Sequence, residues 1–182
     1  KGFGEKTQES VRQNIEFYLS NKARFLYAEV ETFALTLAQT LQSAFAPAPV
    51  ALTGKFRRNE IIIDEVELVI GMPLEAIQSY LATLPDFHLL ETTDNTSLWQ
   101  QAQQAKVKIY ACSPADFAAT LFTTTGSEDF LKQFYAAGGE QHIAQSETEA
   151  AIFEKAGMQY IAPFLREGTQ AIVQARQHQL PT

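Results

Sequence analysis

Gly54-Lys-Phe-Arg-Arg-Asn-Glu-Ile-Ile-Ile-Asp-Glu-Val-Glu-Leu-Val-Ile-Gly71 reads as a tight turn feeding a long β-strand. Two adjacent arginines, Arg57 and Arg58, precede a strand predicted from Ile61 to Ile70, in which Glu65 and Glu67 stand two residues apart. A strand repeats its side-chain direction every second residue, so both carboxylates lie on one face. Val66, Leu68 and Ile70 point the other way, toward a core. An acidic pair on a strand beside a basic, glycine-containing loop is an arrangement able to hold divalent metal ions and a polyphosphate. The bland reading of the same residues is a solvated charge cluster at a strand end.

Working outward from this stretch, Val50–Thr53 is a short strand, so strand, turn and long strand make a hairpin. Upstream, a helix begins at Ser20, with Phe25, Leu26, Val30, Phe33, Leu37 and Leu41 at helical spacing until Ala46-Pro-Ala-Pro49 breaks it. An earlier helix carries Val11, Ile15, Tyr18 and Leu19 and opens on Gly2-Phe-Gly4-Glu-Lys6-Thr7. Backbone amides at such a glycine turn can bind a phosphate. Downstream, Pro73 starts a helix through Leu84 with Leu74, Ile77, Tyr80 and Leu81 facing inward. Phe87–Leu90 and Thr96–Gln100 are short strands, and Val107–Cys112 is a third major one. Hairpin, helix and further strands imply a mixed sheet with helices, an α+β fold.

The C-terminal third reads as helical. Ser113-Pro-Ala-Asp116 resembles a capping box for a helix to about Phe122, and Thr123-Thr-Thr-Gly-Ser127 is a joint. Ser127 caps Glu128–Ala137, which Gly138-Gly139 ends, and a short strand is expected near Gln141–Ala144. Ser146-Glu-Thr-Glu149 is a capping box for Ala150–Ala156, Gly157 stops that helix, and Thr169–Gln179 forms the last one after a loop at Pro163–Gly168.

Composition narrows the function classes. A chain of 182 residues, 46% of them hydrophobic, can bury a sizeable core. The single cysteine, Cys112, excludes an intramolecular disulfide framework, fits a reducing cytoplasm and, with three scattered histidines, leaves no Cys/His metal cluster. No apolar run reaches membrane-spanning length, so no membrane partner is expected. A net charge of −7 argues against simple coating of nucleic acid. Residues 1 to 48 balance five positive against five negative charges, so the acidity lies in the remainder. Lys1 is followed at once by Gly2-Phe-Gly4, so the sequence reads as a piece of a longer chain.

The order of glycine-turn helix, long helix, Leu52-Thr-Gly54-Lys55-Phe-Arg-Arg58, strand with paired acids, third strand and Thr125-Gly126-Ser127 resembles the bacterial X-family DNA polymerases, relatives of DNA polymerase β. Closing Leu165-Arg-Glu-Gly168 is similar to that family's thumb. The resemblance implies a fingers-region remnant with a helix-hairpin-helix at 1–46, a nucleotidyltransferase-like palm at 47–124 and a thumb-like unit at 125–182. It also implies a role in DNA repair, DNA and a nucleoside triphosphate as partners, and a following PHP-type phosphoesterase domain. Residue by residue, it places DNA contacts at Gly2, Gly4, Lys6 and Thr7, phosphate contacts at Gly54, Lys55 and Arg58, and the palm–thumb joint at Thr125, Gly126 and Ser127.

The family's metal-binding acids are two aspartates on one strand and a third on a later strand. Here Glu65 and Glu67 fall on the first two, and Lys108, in Val107-Lys-Ile-Tyr110, falls on the third. Lys55 replaces a serine, Asp64 a glycine, Thr123-Thr124 a Tyr-Phe pair that packs against the sugar, and Leu131 an asparagine. A cation does not ligate magnesium, so Lys108 is expected to pair with Glu65 or Glu67, leaving no metal or other cofactor and no polymerase chemistry. The alternative is an active DNA polymerase that uses Glu65 and Glu67 to hold Mg²⁺.

Overall fold

The computed structural model describes Gln8, Glu9, Arg12 and residues 24 to 181; Gly2, Gly4, Lys6 and Thr7 lie outside the described residues. From residue 24 the chain runs β1 (Phe25–Leu26), α1 (Tyr27–Phe45), β2 (Val50–Thr53), α2 (Gly54–Arg57), β3 (Ile62–Ile63) and β4 (Glu65–Ile70). It continues through α3 (Leu74–Leu81), β5 (Phe87–Thr92), β6 (Thr96–Gln101) and β7 (Lys106–Ala111). After a 3₁₀ turn at Pro114–Asp116 come α4 (Phe117–Thr125), α5 (Glu128–Ala136), α6 (Glu140–Ile143), α7 (Glu149–Lys155), a second 3₁₀ turn at Pro163–Leu165, and α8 (Gln170–Arg176).

Five strands form one mixed sheet in the order β2-β4-β7-β6-β5, so the fold is α+β as the sequence predicts. β2 pairs antiparallel with β4, and β4 pairs parallel with β7. A parallel pair needs a crossover, and α3 with the β5–β6 hairpin supplies it. The alternation in β4 holds: Val66, Leu68 and Ile70 are fully buried, and so is Val69 on the other face, which marks a central strand covered on both sides. Against this core α1 lays Val30, Ala34, Leu37, Leu41 and Phe45, one helical stripe. Phe56 from α2 is buried and stacks on Tyr27 with ring centroids 4.6 Å apart.

Several sequence expectations need correction. The predicted strand Ile61–Ile70 is broken at Asp64: β3 leaves the main sheet to pair with β1, while β4 stays in it. Phe25 and Leu26 therefore belong to a strand, and the helix starts only at Tyr27, where the Glu29 carboxylate accepts the Leu26 amide at 2.7 Å. The turn Gly54–Glu60 contains a helical turn, Gly54–Arg57. Helix α4 runs past Phe122 to Thr125, with the Thr123 and Thr124 hydroxyls donating to carbonyls one turn back at 3.0 and 2.8 Å. Gln141–Ala144 is helical, not extended. The cap of α7 is Thr148, whose hydroxyl accepts the Ala151 amide at 3.1 Å, rather than Ser146.

Buried side chains gather in two cores. One joins α1, the sheet and α3; the other joins Phe122, Phe130, Phe134, Phe153, Ile161 and Ile172 with their neighbours. α4 stands between them, touching β2 and β4 on one side and α6 and α7 on the other. Among the described residues no helix is long and apolar enough to cross a membrane. Leu68→Ala, at a fully buried site in β4, should cost about 2–5 kcal/mol in urea unfolding. Ile61→Ser, at a position 76% exposed, should stay within about 0.5 kcal/mol.

Candidate functional site

The paired acids stand where the strand alternation puts them, on one face of β4, each partly exposed. Parallel pairing sets Glu65 opposite Lys106 and Glu67 opposite Lys108, so both carboxylates face a lysine strand. The expected Lys108 ion pair does not form: among the described residues no salt bridge within 4.0 Å joins Lys108 to either glutamate. Its ammonium instead lies 5.3 Å from the centre of the Tyr110 ring. The Tyr110 hydroxyl donates to Glu67 Oε2 at 2.8 Å, and burial followed by the Glu67 charge pushes that phenol's pKa up. Glu67 is also wedged beneath Gly54, where a Cβ would lie 1.8 Å from Oε1 and φ is +62°. Only glycine fits there, on both counts. Burial raises the Glu65 carboxyl's pKa, Lys108 opposes that rise and Glu67 adds to it. Glu65 and Lys108, with Glu91, Ser97 and threonines of β5 and β6, line a pocket of about 230 Å³.

Among the described residues no three Asp, Glu, His or Cys converge closely enough to hold a divalent ion. Asp64, the local acid that could complete a set, is engaged elsewhere, 2.5 Å from Lys55 Nζ and 3.4 Å from Arg24 Nε.

The residues expected to contact phosphate are engaged within the chain. Lys55 is bound to Asp64, and that hydrogen bond holds its ammonium pKa above the usual lysine value. Arg58, with a side chain 8% exposed, donates through Nε to Glu167, through Nη2 to Glu60 and through Nη1 to the Thr125 carbonyl at 2.7 Å. Burial, and then the hydrogen bond it shares with Glu167, raises the pKa of Glu60. Burial pushes Glu167 the same way, but its bonds with Glu60 and Arg58 outweigh that and hold it below the usual carboxylate range.

Thr125, Gly126 and Ser127 do sit at the seam between the two cores. The Thr125 hydroxyl accepts from Arg57 Nη1 at 2.7 Å and shares a 3.0 Å hydrogen bond with Thr53. A Cβ on Gly126 would lie 2.8 Å from Phe130 Cδ1. Ser127 caps α5 by accepting the Phe130 amide at 3.1 Å, while its hydroxyl donates to the Glu167 carbonyl at 2.6 Å. Leu131 packs against the second core.

The strongest contact at this seam escaped the sequence reading. Arg57 forks onto Glu149, with Nη1 at 2.9 Å from Oε1 and Nη2 at 2.5 Å from Oε2. Glu149 is shared with Arg166, whose Nη1 donates to Oε1 at 2.5 Å and whose Nε donates to the Ile161 carbonyl at 2.8 Å. Arg166 is fully buried among the rings of Phe122, Phe153 and Tyr160, at 5.0–5.4 Å from their centres. Its Nη2 has no hydrogen-bond partner among the described residues. Burial raises the Glu149 carboxyl's pKa, but the two arginines outweigh it and hold the group below the usual carboxylate range. Glu149 passes for a capping residue in sequence, and no local signal ties it to Arg57.

His88 and His178 are exposed, Trp99 is buried with its indole N–H on Ser97 at 2.8 Å, and burial pushes the Cys112 thiol's pKa up. Compared with known protein families and with curated proteins, the chain matches none.

Glu149→Ala leaves two arginines without their carboxylate and should cost about 3–5 kcal/mol, read from urea or thermal unfolding. Because folding depresses the Glu149 pKa, its contribution is complete above the usual carboxylate value of 4.5 and is lost as pH falls through the folded value. Wild-type stability should therefore drop on that acid side, and the variant's should drop less.

Proposed function

We propose that this chain is a palm-and-thumb module of the X-family polymerase type that has kept the scaffold and lost the nucleotidyl-transfer chemistry. The observation that carries this reading is Lys108 in register with Glu67 across β4 and β7. In the family it resembles, two metal ions held by three carboxylates activate the primer hydroxyl and the leaving pyrophosphate. A divalent ion about 5 Å from an ammonium is repelled by roughly 6–7 kcal/mol at an effective dielectric of about 20. That reverses the attraction a third carboxylate would supply.

Three further observations support the reading. Glu67 is bonded to Tyr110 and packed under Gly54. Lys55 and Arg58, the phosphate positions, are paired with carboxylates of the chain itself. The overall charge of −7 weakens attraction to a DNA backbone. The module's work is then structural, holding DNA or a neighbouring phosphoesterase domain in place, with Gly2, Gly4, Lys6 and Thr7 as its DNA contacts and a cytoplasmic setting that suits the single Cys112.

Primer extension with labelled nucleotide in Mg²⁺ or Mn²⁺ should give no incorporation above a Glu65→Ala/Glu67→Ala control. Incorporation above that control establishes the alternative, an active polymerase. The DNA-positioning role is checked by titrating gapped duplex at low salt, where phosphate contacts are strongest. Weak, salt-sensitive binding is expected; undetectable binding leaves the structural role alone.

A further inference from the structure

Arg58 donates its Nε to Glu167 across the seam. Arg58 is nearly enclosed, yet the carboxylate covering its Nε belongs to a side chain that is 50% exposed. The main chain of Glu167 is fixed independently: its carbonyl accepts the Ser127 hydroxyl at 2.6 Å, and the adjoining Arg166 carbonyl accepts the Ser127 amide at 2.9 Å. The Glu167 side chain can therefore swing into solvent without moving the backbone or parting the two cores. Arg58 itself stays in place, because Nη1 remains on the Thr125 carbonyl and Nη2 on Glu60. What opens is the Nε edge of a guanidinium already oriented, with Lys55 close enough to lower the Glu167 pKa by its charge.

We propose that Glu167 is an internal gate, a carboxylate of the second core that occupies Arg58 and excludes multiply charged oxyanions of the phosphate class. The proposal rests on the polymerase-like reading for the nature of the anion and adds to it the means by which the site is closed. The charged groups around the gate are Arg58, Glu60 and Lys55, with Asp64 and Arg24 beyond Lys55. Together with Glu167 they are three cations and three carboxylates, so closure leaves the cluster balanced. Replacing the Glu167 charge leaves one net positive charge facing solvent, and a polyanion gains both the vacated Nε donor and that charge.

The test is a metal-free, template-free titration of inorganic triphosphate at low salt into wild type and Glu167→Gln, followed by calorimetry and by the Arg58 Nε–H resonance in ¹⁵N-labelled protein. Glu167→Gln alters a half-exposed side chain, and a thermal melt verifies that it folds. It should bind triphosphate at least about tenfold more tightly than wild type, with the Arg58 resonance shifting on binding. Equal affinity in the two proteins, no binding to either, or tighter binding that leaves the Arg58 resonance unmoved would each overturn the gate. Nucleotide incorporation in the primer assay would remove the non-catalytic reading without altering this titration, so the two failures are separable.

Discussion

One carboxylate, Glu149, serves two arginines from opposite sides of the seam, and the arrangement of the two cores depends on it. Arg57 reaches it from α2 and Arg166 from the loop after α7, each at 2.5 Å. Buried charges are tolerated only when paired and hydrogen-bonded, so the three side chains admit few other placements. Arg57 comes to this position because α2 is fixed at both ends of its short turn. Gly54 supplies the positive φ and the space for Glu67, and Phe56 is buried against Tyr27. The adjacent Arg58 is thereby turned toward Thr125, Glu60 and Glu167. Arg57 thus ties the second core through the buried Glu149, and Arg58 adds a contact to the half-exposed Glu167.

This economy explains the character of the candidate site. A chain with seven more carboxylates than cations has acids to spare, and here they are placed on the cations of the turn after β2. Lys55 has Asp64, Arg57 has Glu149, and Arg58 has Glu60 and Glu167. Lys108 brings a positive charge to the face of β4 that carries Glu65 and Glu67. Carboxylates at the seam respond to pH with opposite signs. Glu149, depressed by its arginines, favours the fold above the usual carboxylate value. Glu60, raised by burial and by Glu167, favours it below that value and ceases to as pH climbs through its folded pKa.

The sequence by itself determined whatever depends on a few neighbouring residues. The alternation of Val66, Leu68 and Ile70 defined the buried face of β4 and put Glu65 and Glu67 together on the other. Ser113 and Ser127 announced the helices they cap, since the hydroxyl and the amide it satisfies are three residues apart. Gly157, at φ +68°, ended α7 for the same local reason. Tertiary structure decided the rest. Asp64 breaks the long strand where Lys55 and Arg24 gather on it, and Phe25 and Leu26 leave their helical stripe because β3 offers them a partner. Lys108 was placed correctly on its strand, but its ammonium settled over Tyr110 rather than on a carboxylate. Glu149 and Glu167 find their arginines across 92 and 109 residues, beyond the reach of any local pattern. Ion pairs across such separations carry no periodicity, and only the folded chain, which must neutralise each charge it buries, reveals which acid meets which base.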